Sequence, residues 1–112
     1  MKRNEIITVY LAFVGKSGGK RRPVVVIEDK KERLEFFSIT SKYSEKSERM
    51  KRLYYPIKNW KEAGLSKESW IDVGTLRGVS KLDNDIIFKH VGKLTYNDIS
   101  NLNEFISKLN KI

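Results

Sequence analysis

The stretch "GGKRRPVVVI", residues 18–27, decides the fold because it sets a glycine- and cation-rich segment directly against an apolar run. The run from Val24 to Ile27 has no polar member, which predicts a strand that is buried on both faces. Pro23 is expected to open this strand, since proline is tolerated at the start of a strand. The preceding residues, 15–22, hold three glycines and four cations and are predicted to form a mobile loop.

Further strands are predicted on both sides of this stretch. Ile6–Val14 is rich in β-branched and aromatic residues, and Leu34–Thr40 has the composition of a third strand that pairs with the second as a hairpin. Leu53–Ile57 is predicted to be an edge strand, because Pro56 cannot donate a ladder hydrogen bond. The segment "SWIDVGTLRGV", residues 69–79, predicts one or two more strands.

The C-terminal segment has the clearest helical pattern. Thr95 is a suitable N-cap, Asp98 follows three residues later, and apolar residues then recur at spacings of three and four. The stripe consists of Ile99, Leu102, Ile106 and Leu109. Several short strands followed by one helix predict a mainly β (α+β) fold, an SH3-like small antiparallel β-barrel with short helices and a C-terminal α-helix that seals it.

Composition and charge bound the function. The chain has 112 residues, of which 39% are hydrophobic, so we expect one domain, residues 1–112, with a modest core. Lys and Arg total 23 against 14 acidic residues, and this imbalance favours a polyanionic partner. Residues 41–52 add a second cationic cluster in what is predicted to be a long solvated connection. Nucleic acid is favoured over a membrane because no basic amphipathic helix accompanies the charge.

Several chemistries are disfavoured. With no cysteine and a single histidine, disulfides, thiol chemistry and a zinc site are not expected, and a cytoplasmic location fits best. No apolar run approaches the length of a transmembrane helix.

Four local features give only weak evidence of function. The fragment "GKS", residues 15–17, is not a phosphate-binding loop, because the glycine required five positions earlier is absent. His90 is expected to be structural, either packed or in contact with solvent, and Asp83 and Asp85 make only a weak metal pair. Asp72 is expected to bond to backbone or to an arginine for structural reasons.

Arg22 and Thr40 form the most interesting pair. Arg22 precedes Pro23 and is therefore held in extended backbone, which gives its guanidinium a fixed origin from which to bind a phosphate. Thr40 ends the neighbouring strand, so a hairpin of the second and third strands would place it near Arg22. The alternative, that Arg22 is an ordinary surface cation and Thr40 an ordinary strand residue, stays open.

The chain resembles the MazF/PemK family of toxins from bacterial toxin–antitoxin systems. The resemblance rests on "GGKRRPVVVI", on "SITS" at 38–41, on "GLSKESWIDV" at 64–73, on "LRGVSK" at 76–81 and on "VGKLTYNDI" at 91–99. These segments follow one another in order over nearly the whole chain.

The resemblance implies a homodimeric SH3-like barrel that cleaves single-stranded RNA without a metal ion or cofactor, together with a cognate antitoxin that has an acidic C-terminal segment. The catalytic roles fall on Arg22 and Thr40. The reaction implied is attack of a ribose 2′-hydroxyl on the adjacent phosphorus, which leaves a 2′,3′-cyclic phosphate and a 5′-hydroxyl. Leu76, Val79 and the terminal helix offer apolar surface for a dimer. Contacts to RNA are expected from Lys16, Ser17, Lys20, Arg21, Ser41 and Lys42.

Two functional hypotheses other than an endoribonuclease remain open. The chain could be a non-catalytic nucleic-acid-binding barrel, for which salt-dependent binding without cleavage is the expected behaviour. It could also be a toxin that inhibits gyrase by protein contact, as CcdB-like toxins do.

Overall fold

Antiparallel strands make up most of the regular structure in the computed structural model, which describes residues 1–12, 19–82 and 86–110. The strands are β1 (Glu5–Ala12), β2 (Gly19–Asp29), β3 (Arg33–Thr40), β4 (Tyr54–Pro56), β5 (Trp70–Asp72), β6 (Arg77–Ser80) and β7 (Ile86–Lys93). The helices are a 3-10 turn (Tyr43–Glu45), α1 (Glu48–Lys51) and α2 (Tyr96–Leu109). No helix in these residues is long and apolar enough to cross a membrane.

The strands form one sheet in the order β4-β5-β3-β2-β1-β7, and β6 also pairs with β3. The first half of β3 pairs with β6, whereas its last two residues, Ile39 and Thr40, pair with β5. A strand that changes partner along its length bends the sheet, because the two partners leave in different directions. The prediction of a small, barrel-like antiparallel α+β fold with a C-terminal helix is confirmed.

The central strand β2 contributes to two cores, one on each face of the sheet. Val25 packs into a cluster with Ile6, Ile71 and Leu102, whereas Val24 and Val26 pack into a second cluster on the opposite face. The second cluster also contains Ile7, Val9, Leu34 and Phe36. Since successive strand side chains point to opposite faces, burial on both faces requires a continuous apolar run. The predicted double burial is therefore confirmed for Val24–Val26.

Helix α2 closes the first core. The Thr95 hydroxyl oxygen accepts a hydrogen bond from the backbone N–H of Asp98 at 3.3 Å, so the predicted N-cap is confirmed. Leu102 is buried, and Ile99 and Ile106 pack against the same cluster. Three of the four stripe residues therefore contribute to the core, and the use of this helix as a dimer surface stays a prediction.

The predicted loop over residues 15–22 is wrong at its C-terminal end. β2 begins at Gly19, and Lys20, Arg21 and Arg22 pair with Leu11, Tyr10 and Val9 of β1. Pro23 consequently lies inside β2 rather than at its start. Its missing N–H is tolerated there because the pairing of β2 with β3 begins only at Val24.

The segment 41–52 is more ordered than predicted. The Tyr43 ring stacks on Trp70, with ring centroids 4.8 Å apart and an interplanar angle of 10°. The Ser47 hydroxyl oxygen caps α1 by accepting from the N–H of Met50 at 3.3 Å. The stack holds this segment against β5, a tertiary contact that the polar composition of the segment does not predict.

We expect replacement of Tyr43 by alanine to lower the free energy of unfolding by about 1 kcal/mol, because the stacked pair is lost. Limited proteolysis should then cut within residues 41–52 sooner than in the unmodified protein. Tyr96→Ala is the matched control, since Tyr96 is 86% exposed. Equal melting temperatures and cleavage patterns for the two variants would contradict the anchoring role of Tyr43.

Candidate active site

The candidate site lies where β2 and β3 separate. Their ladder begins at the pair Val24 and Ser38, and beyond it Thr40 pairs with Trp70 of β5 instead. The N-terminal part of β2, which includes Arg22, pairs with β1 alone among the described strands. The divergence opens a gap beside β2, and two cavities are found along it.

The larger of these, here called the large cavity, has a volume of about 450 Å³. Alternate residues of β2 and β3 line it, as expected for one face of a pleated sheet. The lining consists of Val9, Lys20, Arg22, Val24, Phe36, Ser38, Ile39, Thr40, Lys46, Tyr54, Asp72 and Arg77. Arg22 and Thr40, which the sequence predicts to lie near each other, thus line one cavity.

The second, here called the small cavity, has a volume of about 200 Å³. Its lining consists of Arg21, Arg22, Pro23, Ile39, Thr40, Ser41, Lys42, Leu65, Ser66, Lys67 and Ser69. Arg22 and Thr40 are shared by both cavities. A chain-like ligand that passes over these two residues would therefore contact one cavity on each side of them.

Of the three residues that line both cavities, Arg22, Ile39 and Thr40, the two polar ones have free hydrogen-bond donors. The Thr40 hydroxyl oxygen accepts from the backbone N–H of Lys42 at 3.0 Å, which leaves the hydroxyl hydrogen available to a ligand. The Arg22 side chain is exposed and makes no hydrogen bond or ion pair with any residue in the described ranges. Its guanidinium can therefore present a planar set of donors to a phosphate.

Positive charge predominates around both cavities. Lys20, Arg22, Lys46 and Arg77 line the large cavity, in which Asp72 is the one acidic residue of the lining. Arg21, Lys42 and Lys67 line the small cavity with no carboxylate among its lining residues. A concave surface with this charge attracts polyanions and increases their rate of encounter.

The residues predicted to bind RNA divide between the two cavities. Lys20 lines the large cavity, whereas Arg21, Ser41 and Lys42 line the small one. Lys16 and Ser17 lie outside the described residues. The candidate metal pair Asp83 and Asp85 lies outside them as well.

Asp72 has both the role predicted for it and another that sequence reasoning missed. Its Oδ1 atom accepts a hydrogen bond from the Gly74 N–H at 2.9 Å, as expected of a structural carboxylate. It also lines the large cavity, directly opposite Tyr54 in the ladder between β4 and β5. Burial raises the pKa of the Tyr54 hydroxyl, and the negative charge of Asp72 raises it further, whereas Arg77 lowers it. Tyr54 therefore stays a neutral donor at physiological pH.

His90 lies on β7 and belongs to neither cavity lining. Its ring is exposed, and its Nδ1 atom is 3.6 Å from Oε2 of Glu5 on the paired strand β1. A structural, solvent-exposed histidine agrees with this placement.

The fold and the site define a small barrel-like α+β protein with two basic cavities, the large and the small cavity, where β2 and β3 diverge. A family model for PemK-like, MazF-like toxins of type II toxin–antitoxin systems matches residues 2–109 of the chain. The chain therefore belongs to this toxin family, and the family implies an antitoxin partner. Comparison with curated protein sequences gives no significant match.

Proposed function

We propose that the chain is a sequence-selective endoribonuclease toxin that cleaves single-stranded RNA without a metal ion. The observation that carries this proposal is the position of Arg22 and Thr40, which together line both cavities and have unengaged donors. Membership of the toxin family supports the same activity.

In the proposed reaction, a ribose 2′-oxygen attacks the adjacent phosphorus while its proton passes to a base. The bond from phosphorus to the 5′-oxygen breaks, and that oxygen takes up a proton. The products are a 2′,3′-cyclic phosphate and a 5′-hydroxyl. The nucleophile is already part of the substrate and close to the phosphorus, which reduces the entropic cost of the step. DNA lacks the 2′-hydroxyl and cannot react in this way.

Arg22 is assigned to stabilise the negative charge that develops on the non-bridging oxygens of the phosphorane. A guanidinium stays protonated near neutral pH, which suits it to this electrostatic role and not to that of a base. Thr40 is assigned to donate a hydrogen bond to the same oxygens, because its own oxygen is already engaged by Lys42. Lys20 and Arg21 are assigned to steer the RNA.

The proposal extends to the assembly. A homodimer would cover exposed apolar side chains such as Leu76 and Ile87, which are 52% and 49% exposed. An antitoxin with an acidic C-terminal segment would complement the positive charge of the two cavities.

Incubation of the purified protein with a long RNA in excess EDTA tests the activity. We expect new 5′-hydroxyl ends at a restricted set of sequences, because the reaction requires no metal. A matched DNA should remain intact.

Two controls make the result specific, and two other outcomes would identify the alternatives. RNA with 2′-O-methyl groups should resist cleavage, and an excess of Mg²⁺ should not restore activity to an inactive variant. Salt-dependent RNA binding with no new ends at any salt concentration would instead identify a non-catalytic binding module. Growth arrest that is rescued by gyrase variants would identify the CcdB-like alternative.

A further inference from the structure

Two cross-strand pairs form part of the wall of the large cavity. Tyr54 of β4 lies opposite Asp72 of β5, and Phe36 of β3 lies opposite Arg77 of β6. Residues that lie opposite each other in antiparallel strands share a face, and all four residues line the same cavity. The cavity therefore has two aromatic rings, one carboxylate and one guanidinium in addition to the residues assigned to catalysis.

The carboxylate of Asp72 has acceptor capacity left for a ligand. One oxygen, Oδ1, accepts from Gly74, and the other, Oδ2, has no hydrogen-bond partner among the residues that the structure describes. A carboxylate offers about four lone-pair sites, so a group with two adjacent donors can still be bound.

The guanidinium of Arg77 is likewise available. The side chain is exposed and forms no ion pair or hydrogen bond within the described part of the chain. Arg77 lines the same cavity as Asp72 and Tyr54, and it lowers the pKa of the Tyr54 hydroxyl, which Asp72 raises. The cavity wall thus has an acceptor group opposite Tyr54 and a donor group opposite Phe36.

We propose that the large cavity binds a guanine base of the RNA, with Asp72 and Arg77 as the residues that determine this specificity. Guanine has two adjacent donors, N1–H and the N2 amino group, which match a carboxylate. It also has two adjacent acceptors, O6 and N7, which match a guanidinium. Adenine and cytosine each place an acceptor beside their amino donor, and uracil has a single donor between two acceptors. The rings of Phe36 and Tyr54 offer apolar surface to the base.

This inference rests on the proposed function, since it names the base that the nuclease selects. It also separates two groups of residues in one cavity. Arg22 and Thr40 act on the phosphate, which is the same in every nucleotide, whereas Asp72 and Arg77 contact the variable base.

Cleavage of a randomised single-stranded RNA pool, followed by sequencing of the 5′-hydroxyl ends, tests the inference. We expect guanine to be preferred at one fixed position near the cut by about 5- to 150-fold, the discrimination typical of a good bidentate contact. Asp72→Asn should remove this preference and favour adenine or cytosine there, because an amide presents one donor and one acceptor. The amide oxygen can still accept from Gly74, so the local turn is retained.

Glu32→Gln is the matched control. Glu32 is exposed, lies in neither cavity lining and undergoes the same carboxylate-to-amide change. It should keep the original cleavage pattern. Arg77→Gln provides a second variant and should also weaken the guanine preference, with thermal melting used to confirm that each variant is folded.

NMR titrations with guanosine 5′-monophosphate and with adenosine 5′-monophosphate measure how tightly the protein binds each base. They test the inference independently of RNA cleavage, and so separate it from the proposed function. Tighter binding of the guanine nucleotide by the unmodified protein, lost in Asp72→Asn, supports the base pocket even if no RNA is cut. Cleavage without guanine preference, or an unchanged pattern in Asp72→Asn, overturns the inference and leaves the nuclease intact. Absence of both cleavage and guanine-selective binding overturns both.

Discussion

Replacement of Arg22 by alanine is expected to slow RNA cleavage by about a hundred- to a thousandfold, as for removal of one preorganised donor to a developing negative charge. The fold should be unaffected, because the side chain is exposed and belongs to neither core cluster. Single-turnover cleavage at saturating protein measures the chemical step, and thermal melting measures stability.

Arg21→Ala is the matched control for Arg22→Ala. Both arginines lie on β2, but Arg21 lines only the small cavity and points to the opposite face of the strand. We expect Arg21→Ala to weaken RNA binding and to lower the salt dependence of binding by about one unit of slope, with little change in the rate at saturation. A loss below tenfold in Arg22→Ala, or equal losses in both variants, would remove the catalytic assignment from Arg22.

The contrast between these two arginines follows from a feature that the sequence does not reveal. Glycine and clustered cations have low β-propensity, so residues 19–22 were expected in a loop. Pairing with β1 overrides that propensity and extends β2 through Arg22. Only in a strand does alternation assign neighbouring residues to opposite faces, and this alternation separates Arg21 from Arg22.

Patterns carried by neighbouring residues were predictable. The apolar run at Val24–Val26 and the helix after Thr95 each follow from local composition or periodicity, and both occur as expected. The proximity of Arg22 and Thr40 also followed from the predicted hairpin of the second and third strands. In the structure, however, the β2–β3 ladder does not extend to these two residues, because it starts at the pair Val24 and Ser38.

The part of the large cavity that is proposed to bind the base could not be predicted from local sequence patterns. Tyr54 and Asp72 lie on strands of three residues each, too short for a readable alternation, and 17 residues separate them in the chain. The Tyr43–Trp70 stack is similarly non-local. Such pairs depend on the curvature of the sheet and on which strands become neighbours, and neither is encoded in a local pattern.

Asp98 is the clearest example of a residue with a local prediction and a larger tertiary role. It was expected in the first turn of α2, but its side chain is fully buried and is directed to the connection after β4. Oδ1 accepts from the Tyr55 hydroxyl at 2.7 Å and from the Lys58 N–H at 3.0 Å. Oδ2 accepts from the Asn59 N–H at 2.8 Å. One carboxylate therefore joins the helix to the chain that leaves the β4 wall of the large cavity.

Replacement of Asp98 by alanine is expected to lower the free energy of unfolding by about 3 to 4 kcal/mol, because three buried or partly buried donors lose their acceptor together. Tyr55→Phe removes only one of these bonds and should cost about 1 kcal/mol. Glu104→Ala, on the exposed face of the same helix, should change stability by at most about 0.5 kcal/mol, since its pair with Lys108 is a surface pair. Urea denaturation of the three variants measures these differences. A cost for Asp98→Ala no greater than that for Tyr55→Phe would show that the two backbone N–H groups find water instead, and that Asp98 does not fasten the helix to the cavity wall.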